Sequence, residues 1–520
     1  MEIKELYVAA RSATILLEDG GLYRTQRPYR LTLNGEAAGE ADTAVKTICG
    51  LWPDTRYTLC AYEGDQEIGR IAFHTAKECC TLDVRRFGAV GDGVHDDTAA
   101  IQAAITCCPK HGRVLIPAGD YSVLPLFLKS HIRLEIQRGA TLKLKTDRSL
   151  FPILPGLTQT TDETDEFNLG SWEGNPLDMY AAMITGVDVK DVVIFGEGVL
   201  DGCAQEGDWW VNQKQRRGAW RGRMLFLCRC KDIVVQGLTF RNSPAWNLHP
   251  YFSERLKFLN VTVTAPSNSP NTDGFDPESC KEVLLAGARF SLGDDCIAIK
   301  SGKLYMGQKL HTPCEDVEIA HCEMADGHGG VTIGSEMAGG VKNVTVHDCV
   351  MRKTDRGLRI KTRRGRGRFG VVDQIVFERV VMEQVAAPLV VNCLYFCDAD
   401  GHSEYVQSRE AQPVDERTPR VGRVAFRHVQ ATGASCAAYI LGLPEQPVEE
   451  IELSDVQITC AEDAPAIQPA MADGVPRCAR QGIVACDVKK LTLRHVHLTG
   501  HTGARTSCAG VDELDDDMDR

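Results

Sequence analysis

The stretch NTDGFDPESCKEVLLAGARFSLGDDCIAIKSG, residues 271–302, contains the pattern from which the fold can be inferred. Its two apolar runs, VLLAGARF and CIAI, each follow acidic residues: Asp273 precedes the first, and Asp294 and Asp295 precede the second. Two later segments, GHGG and RIKT, place further charged residues beside apolar runs at similar intervals. This regular return predicts a repeating β structure.

Short β-type runs continue on both sides of this stretch. Between Ile233 and Val344 they recur at intervals of roughly 24 to 34 residues. Each run alternates apolar and polar residues or is apolar throughout, as in strands with one face inside. A single three-stranded coil cannot bury its inner face, so the coils must stack. We therefore predict an all-β chain with a right-handed parallel β-helix, because propellers repeat at longer intervals and the leucine-rich-repeat signature is missing.

The segment DVRRFGAVGDGVHDDTAAIQAAI, residues 83–105, indicates a loop followed by a capped helix. Asp96, Asp97 and Thr98 occupy the positions of N-cap and first-turn residues, ahead of apolar positions at helical spacing. A helix over the open end of the first coil would cover its unpaired strand edges. We expect the two aspartates to be structural.

Residues 1–80 form a separate unit of short β-type runs, which predicts a small antiparallel β-sandwich. Within it, LWPDTRY at 51–57 resembles the corner of fibronectin type III domains, where a tyrosine hydroxyl closes a turn between strands. The β-helix domain is predicted to span 81–505. Residues 506–520 are strongly acidic and are predicted to be a disordered tail.

Bulk composition narrows the function. The chain has 520 residues, 43% of them apolar, and a net charge of −13, which argues against nucleic-acid and membrane-surface partners. A polyanionic substrate would need a local basic patch. The 21 cysteines form no CxxC pair, and the charged N-terminus does not resemble a signal peptide, so we expect a reduced, cytoplasmic protein. A secreted chain whose signal had been removed would look the same.

Stacking would bring residues that are distant in sequence close together, because parallel strands lie about 4.7–4.9 Å apart. Counting coils predicts that charged side chains of four segments share one face. These side chains are Asp273, Asp294, Asp295, His328, Arg359 and Lys361. Carboxylates, an imidazole and cations in one column indicate a catalytic site better than a solvated surface does.

The segments NTD, GDD, GHG and RIK resemble, in this order, the four signature segments of the polygalacturonase family of glycoside hydrolases. The resemblance covers roughly residues 81–500. It implies hydrolysis of α-1,4-linked galacturonic acid in an anionic oligo- or polysaccharide, with inversion and with no metal or other cofactor.

The resemblance also implies roles for individual residues. Asp294 would be the general acid, with Asp273 and Asp295 holding and deprotonating the water, and inverting enzymes keep acid and base about 6.5–9.5 Å apart. His328 would tune the acid's proton or bind a sugar hydroxyl. Adjacent residues in a strand point to opposite faces, so we predict an irregular backbone at 293–296.

Substrate contacts follow from the same resemblance. They are assigned to Asn271, Arg359, Lys361 and Tyr395. The sequence TRRGRGRFG that follows resembles the exo-acting members, as does the N-terminal domain, and it predicts a basic lip that includes Arg363 and Arg364.

Two long insertions could close one end of the cleft, as an exo enzyme requires. They span Leu157–Tyr180 and Glu206–Arg223 and contain Trp172, Trp209 and Trp220, although these aromatic residues could equally belong to the core.

The leading hypothesis is an exo-polygalacturonase that acts from the non-reducing end. The alternatives are an endo-polygalacturonase, a rhamnogalacturonan or xylogalacturonan hydrolase, a calcium-dependent pectate lyase, and a non-catalytic β-helical carbohydrate-binding protein. The sequence does not predict the oligomeric state.

Overall fold

The computed structural model describes residues 1–159 and 166–517. It confirms the predicted fold class: an antiparallel sandwich followed by a large parallel β-helix. Within the described ranges, no helix combines the length and the apolarity needed to cross a membrane.

The N-terminal sandwich contains two antiparallel sheets. One comprises Glu2–Val8, Ser12–Glu18 and Val45–Cys49, and the other runs in the order Glu36–Thr43, Arg24–Leu33, Arg56–Glu63, Gln66–His74. The predicted corner is present, since the Tyr57 hydroxyl accepts a hydrogen bond of 2.9 Å from the Trp52 amide.

The β-helix begins with the strand Thr81–Asp83, a 3-10 turn at Val84–Phe87, the strand Asp92–Asp96 and the helix Thr98–Cys107. Asp97 is the N-cap residue, but its carboxylate caps the preceding loop rather than the helix: it accepts hydrogen bonds from the amides of Val90 (2.6 Å) and Gly91 (3.1 Å). Asp96 accepts a hydrogen bond from the Thr98 amide at 3.0 Å. Both aspartates are therefore structural, as expected.

Three parallel sheets run along the β-helix, here called sheets one, two and three. Sheet one contains Thr81–Asp83, Gly112–Ile116, Ile132–Ile136, Lys190–Gly196, Lys231–Gln236, Glu254–Leu259, Lys281–Ala286, Cys314–Ala320 and Arg420–Val421. Sheet two contains Asp92–Asp96, Gly119–Val123, Ala140–Leu144, Val199–Asp201, Thr239–Arg241, Thr262–Thr264, Arg289–Leu292, Glu323–Asp326 and His497–Thr499. Long strands that bend from sheet one into sheet two are Val341–Arg352, Val371–Glu383, Arg423–Ala434 and Val448–Cys460.

Sheet three carries most of the residues predicted to be functional. Its strands are Leu126–Phe127, Ile184–Val187, Leu225–Cys228, Leu248–Tyr251, Ile297–Ile299, Val331–Ile333, Arg356–Lys361, Ala387–Asn392 and Cys436–Leu441. Two last strands, Gln481–Arg494 and Thr506–Asp516, bend from sheet three into sheet one.

The remaining elements lie outside these sheets. They are 3-10 turns at Arg148–Leu150 and Ala204–Glu206, helices at Leu304–Leu310 and Glu404–Gln407, and the antiparallel strand pairs Ile153–Leu154 with Met179–Tyr180 and Thr158–Gln159 with Glu166–Phe167.

Apolar ladders fill the interior because the same strand position in each coil faces inward. One such ladder joins directly paired, buried residues of sheet one: Val283, Val317, Val344, Ile375, Val424 and Ile451. β-branched side chains suit this arrangement, since they pack well against neighbours on a pleated surface.

The prediction of a disordered tail is wrong for the described residues. Thr506–Asp516 is a strand in which Val511 pairs with Val488 and Leu514 pairs with Leu491. Asp516 forms an ion pair with Arg505, which reduces the charge repulsion that the composition suggests. The last three residues lie outside the described ranges.

The sandwich packs against sheet one through apolar and polar contacts. Buried Val45 and Leu16 meet Val193 and Phe195 of the β-helix. Gln236 of sheet one accepts a hydrogen bond from Thr14 (2.7 Å) and donates one to Ser12 (2.6 Å). Because these groups are buried, their hydrogen bonds specify how the two parts fit together.

Candidate active site

Backbone hydrogen bonds stack the predicted segments one above another. From donor amide to acceptor carbonyl, the successive pairs are Asn247 to Asp273 (2.8 Å), Gly274 to Asp295 (3.1 Å), Cys296 to Gly329 (2.8 Å) and Gly330 to Arg356 (3.0 Å). The column predicted from the sequence is therefore present.

The backbone is irregular at 293–296, as predicted. The strand Arg289–Leu292 ends before this segment and Ile297–Ile299 begins after it. A Cβ atom at Gly293 would lie 2.2 Å from the carbonyl oxygen of Ser269, so only glycine fits this close approach.

Three carboxylates converge at this bend. One oxygen from each of Asp273, Asp294 and Asp295 lies within 4.8 Å of the other two. All three line the cavity described below; Asp295 and Asp273 are buried, at 2% and 4% exposure, whereas Asp294 is half-buried. Asp294 and Asp295 are adjacent in the chain, and the backbone hydrogen bond from Gly274 to Asp295 brings the segment of Asp273 beside them.

Asp295 is held in its ionised form. Lys361 donates a hydrogen bond of 2.8 Å to its Oδ2, and an Arg359 nitrogen lies 3.8 Å from its Oδ1. Burial alone would raise the pKa of Asp295, but the charges of Lys361 and Arg359 outweigh burial and lower that pKa.

The other two carboxyl groups bind protons more tightly. Burial, followed by the neighbouring charge of Asp295, raises the pKa of Asp294. Burial, followed by the charges of Asp294 and Asp276, raises the pKa of Asp273 well above its usual range. Because these groups interact strongly, the proton belongs to the Asp273–Asp294 pair rather than to either residue alone.

A buried lysine that the sequence analysis missed lies beside this pair. Lys300 Nζ is 3.8 Å from Asp273, 3.5 Å from Asp276 and 3.3 Å from Glu336, and it lies 4.3 Å from the centre of the Trp246 ring. The run CIAIK places Lys300 one residue after an apolar strand that follows the acidic pair, which is the signal that could have identified it.

His328 lies at the rim of the carboxylate cluster. Its amide donates a hydrogen bond to the Asp294 carbonyl (3.2 Å), and its exposed ring shares a hydrogen bond of 2.9 Å with Asp355. This bond to Asp355 raises the pKa of His328, with further help from the charge of Asp294. The imidazole is thus placed to influence the proton on Asp294.

Arg359, Lys361 and Tyr395 form one cluster, as the sequence analysis expected. The Tyr395 ring centre lies 5.5 Å from the Arg359 guanidinium carbon and 5.4 Å from Lys361 Nζ. Arg359 also contacts Met471 at 3.2 Å, through a loop whose position no sequence spacing indicated. Lys361 and Tyr395 line the cavity, whereas Arg359 contacts Asp295 and the Tyr395 ring.

The carboxylates open onto a cavity of about 700 Å³. One of its walls is aromatic: Trp172 stacks on Trp220 with ring centres 4.7 Å apart, and on Trp246 at 6.4 Å. Asn271 also lines the cavity and accepts a hydrogen bond of 2.6 Å from Arg221.

The tryptophans of the two insertions lie in different places, some at the cavity and one in the core. Trp172 and Trp220 line the cavity, as the cleft-wall prediction requires. Trp209 is fully buried against Phe151 and Tyr180, so this residue belongs to the core.

The basic lip is not formed, and the prediction that Arg363 and Arg364 bind substrate is wrong. Both are buried: Arg363 forms two hydrogen bonds to Asp400, and Arg364 forms two to Glu445 at 2.7 and 2.8 Å. Arg364 also donates to the Ser408 carbonyl (2.9 Å). These side chains fix the loop after Tyr395 instead of facing the cavity.

Asp273, Asp294 and Asp295 are the one group of potential metal ligands among residues 1–159 and 166–517. Lys361, Arg359 and Lys300 lie within 3.8 Å of these carboxylates and place positive charge beside them.

Comparison with known proteins gives consistent matches. Residues 129–473 match the model of the family described as "Glycosyl hydrolases family 28", and residues 81–134 match the one described as "Rhamnogalacturonase A/epimerase, pectate lyase-like". A "Probable polygalacturonase" from Vitis vinifera is 31% identical over 386 residues, covering 73% of this chain and 74% of that protein.

Solved structures resemble the chain as well. An exopolygalacturonase from Thermotoga maritima is 27% identical, with a TM-score of 0.65 over 81% of this chain and 92% of its own. A family 28 exopolygalacturonase from Yersinia enterocolitica shares the fold over 99% of this chain and 98% of its own, with a TM-score of 0.71 at 19% identity.

Gly329 provides a test of the site geometry. A Cβ atom there would lie 2.6 Å from Asp295 Oδ1 and 2.5 Å from Thr332 Oγ1. We expect Gly329→Ala to displace Asp295 from Lys361 and to lower kcat about 100-fold, the usual effect of a small misplacement. The measurement is hydrolysis of polygalacturonate, the substrate that the sequence resemblance implies.

The control is Gly64→Ala, in a turn of the N-terminal sandwich with open space around it, where a φ of +58° strains alanine outside the active site. This variant should keep the wild-type kcat. Wild-type kcat in a folded Gly329→Ala protein would contradict the proposed arrangement of Asp295.

Proposed function

Because the chain belongs to glycosyl hydrolase family 28, we propose that it is an exo-polygalacturonase that hydrolyses α-1,4-galacturonosyl linkages from the non-reducing end of oligo- and polygalacturonate. The resemblance to polygalacturonases inferred from four short segments is confirmed by the family match. The exo mode, the roles of individual residues and the stereochemistry are our proposals.

One observation carries the mechanism. Asp273 Oδ1 and Asp295 Oδ1 are buried and have no hydrogen-bond partner among the described residues. Buried acceptors without partners are costly, so these oxygens suit a group that arrives with the reaction. A small rotation of the two side chains would open these oxygens to a water molecule from the cavity, which could then donate one hydrogen bond to each.

Asp294 is proposed as the general acid. It is the carboxyl of the three that is half-exposed to the cavity, and its raised pKa retains a proton. Protonation of the glycosidic oxygen makes the sugar a better leaving group as the oxocarbenium-like transition state develops. The cationic form of His328 next to Asp294 would stabilise the carboxylate that remains.

Asp295 is proposed as the base that deprotonates the attacking water. Its ion pair with Lys361 keeps it ionised while Asp294 is protonated, which separates the two roles. Asp273 would orient the same water through Oδ1. Lys361 lines the cavity as well and would attract the uronate carboxylate of the substrate, as Tyr395 would contact its ring.

The exo mode is supported by the aromatic wall. Trp172 and Trp220 come from the two insertions, stack on each other and close one side of the cavity. A chain-end substrate needs such a barrier beyond its terminal sugar, whereas an internal cut needs a groove open at both ends. The similarity to the Thermotoga maritima exopolygalacturonase favours the same mode.

Asp294→Asn tests the general acid. The substitution is nearly isosteric, so we expect normal folding and a kcat lower by at least about 100-fold, because general acid catalysis contributes that much. The measurement is kcat on trigalacturonate, with thermal unfolding as the control. A kcat within a few-fold of wild type would exclude Asp294 as the acid.

Product analysis tests the exo mode. Chromatography of early digests of trigalacturonate and polygalacturonate should show galacturonate monomer with no mid-sized oligomers, because the wall admits one chain end. A ladder of oligomers from polygalacturonate would reject the exo proposal and favour the endo alternative.

Proton NMR of fresh digests tests the stereochemistry. The linkage is α, so a single displacement by water should give the β-anomer first, before mutarotation. Initial release of the α-anomer would overturn the assignment of Asp295 as a base.

A further inference from the structure

Lys300 joins three consecutive coils beneath the cavity. Its backbone forms a parallel β-bridge with that of Glu278 in the preceding coil. The amide of the next residue, Ser301, donates a hydrogen bond of 2.7 Å to the Glu336 carbonyl in the following coil. The Lys300 side chain is only 4% exposed, and the Trp246 ring lies beside its ammonium group. Backbone pairing and packing therefore fix the position of this charge.

Two carboxylates of the cavity compete for this single ammonium group. Glu336 is the nearer, at 3.3 Å, and receives a hydrogen bond from Lys300. Asp273 lies farther away, at 3.8 Å. Burial alone would raise the pKa of Glu336, but the charges of Lys300, Lys303 and Arg366 outweigh burial and lower that pKa. Glu336 thus stays ionised and keeps most of the Lys300 interaction.

Asp276 takes little part in this competition under acidic conditions. It lies 3.5 Å from Lys300 and is completely buried, and burial raises its pKa to about 7. Below that pH it is neutral. Lys300 then acts on Glu336, which is ionised, and on Asp273, whose ionised form it stabilises from 3.8 Å against the effect of burial.

We propose that Lys300 is a positioning residue whose charge is divided between Glu336 and Asp273, so that Glu336 controls the ionisation of Asp273 and decides which member of the Asp273–Asp294 pair holds the proton. The proposal rests on the proposed function, in which the productive form carries that proton on Asp294.

Other titratable groups face this junction from the neighbouring coils, and all variants in the test below retain them. They are Arg223, His249, Glu278, Glu173, Asp294, Asp295, Lys303, Lys361 and Arg366. The largest influences on Asp294, after burial, come from Asp295, His328 and Lys361, and Lys300 and Glu336 are not among them. The two limbs of a pH profile should therefore respond differently.

The test is the pH dependence of kcat/KM on polygalacturonate for wild type, Glu336→Gln, Lys300→Met and the double variant. Glu336→Gln removes the carboxylate that competes for Lys300, so the Lys300 charge acts more strongly on Asp273. The acidic limb of the profile should therefore move to lower pH by about 1 unit. Lys300→Met removes the attraction, so the acidic limb should move to higher pH by about 1 unit or more, with a lower kcat. In both single variants the alkaline limb should move less than the acidic limb.

The double variant separates this mechanism from independent effects. If Glu336 acts through Lys300, Glu336→Gln should shift the acidic limb less in the Lys300→Met background than in the wild type. Equal shifts in both backgrounds would overturn the proposal. So would single-variant shifts in the same direction, or lowered activity with unmoved limbs.

A second measurement needs no turnover. The infrared band of the protonated Asp273 carboxyl, identified by its loss in Asp273→Asn, can be titrated in the free protein, and it should titrate lower in Glu336→Gln. If wild type releases no galacturonate, the proposed function fails, while this titration still decides whether Glu336 controls Asp273. If Lys300→Met does not fold, an unmoved Asp273 titration in Glu336→Gln overturns the proposal.

Discussion

The site depends on the parallel hydrogen-bond ladder between successive coils. The amide-to-carbonyl bonds that run from Asn247 through Asp273 and Asp295 to Gly329 hold residues that are distant in sequence at the spacing of adjacent strands. Like charges placed at that spacing repel one another, and the fold accepts this because the apolar ladders of the interior stabilise the stack. The ladder is therefore both the scaffold of the molecule and the cause of its perturbed carboxyl groups.

Cations from other coils give these mutually repelling carboxyl groups different protonation states. Lys361 lies beside Asp295 and fixes one carboxylate in the ionised state, while burial keeps a proton on the Asp273–Asp294 pair. The character of Asp295 thus depends on a cation from a later coil, whereas that of Asp294 depends on burial and on the charge of Asp295 itself. Asp294 and Asp295 are adjacent in the chain, yet they are suited to opposite chemical tasks.

Residues on the repeating coils could be predicted from the sequence, because periodic spacing converts directly into proximity. The column from Asp273 to Lys361 and the irregular backbone at 293–296 were found in this way. Loop contacts could not be predicted, since loops have no period. Arg364 looked like part of a basic surface because its partner Glu445 lies 81 residues away, in a segment with no register to the arginine. Lys300 was missed for a different reason: a cation after an apolar strand is unremarkable until the partner carboxylates are known.

The aromatic wall has a consequence for recognition. The Arg223 guanidinium lies 4.9 Å from the ring centre of Trp172 and 4.6 Å from that of Trp246, and it donates to the backbone of Ser171, so the stack is cross-braced. Such a surface is rigid before any ligand arrives, and little conformational entropy remains to be lost on association. The cavity can then select ligands by size through its existing shape, and no closing movement of the protein is required.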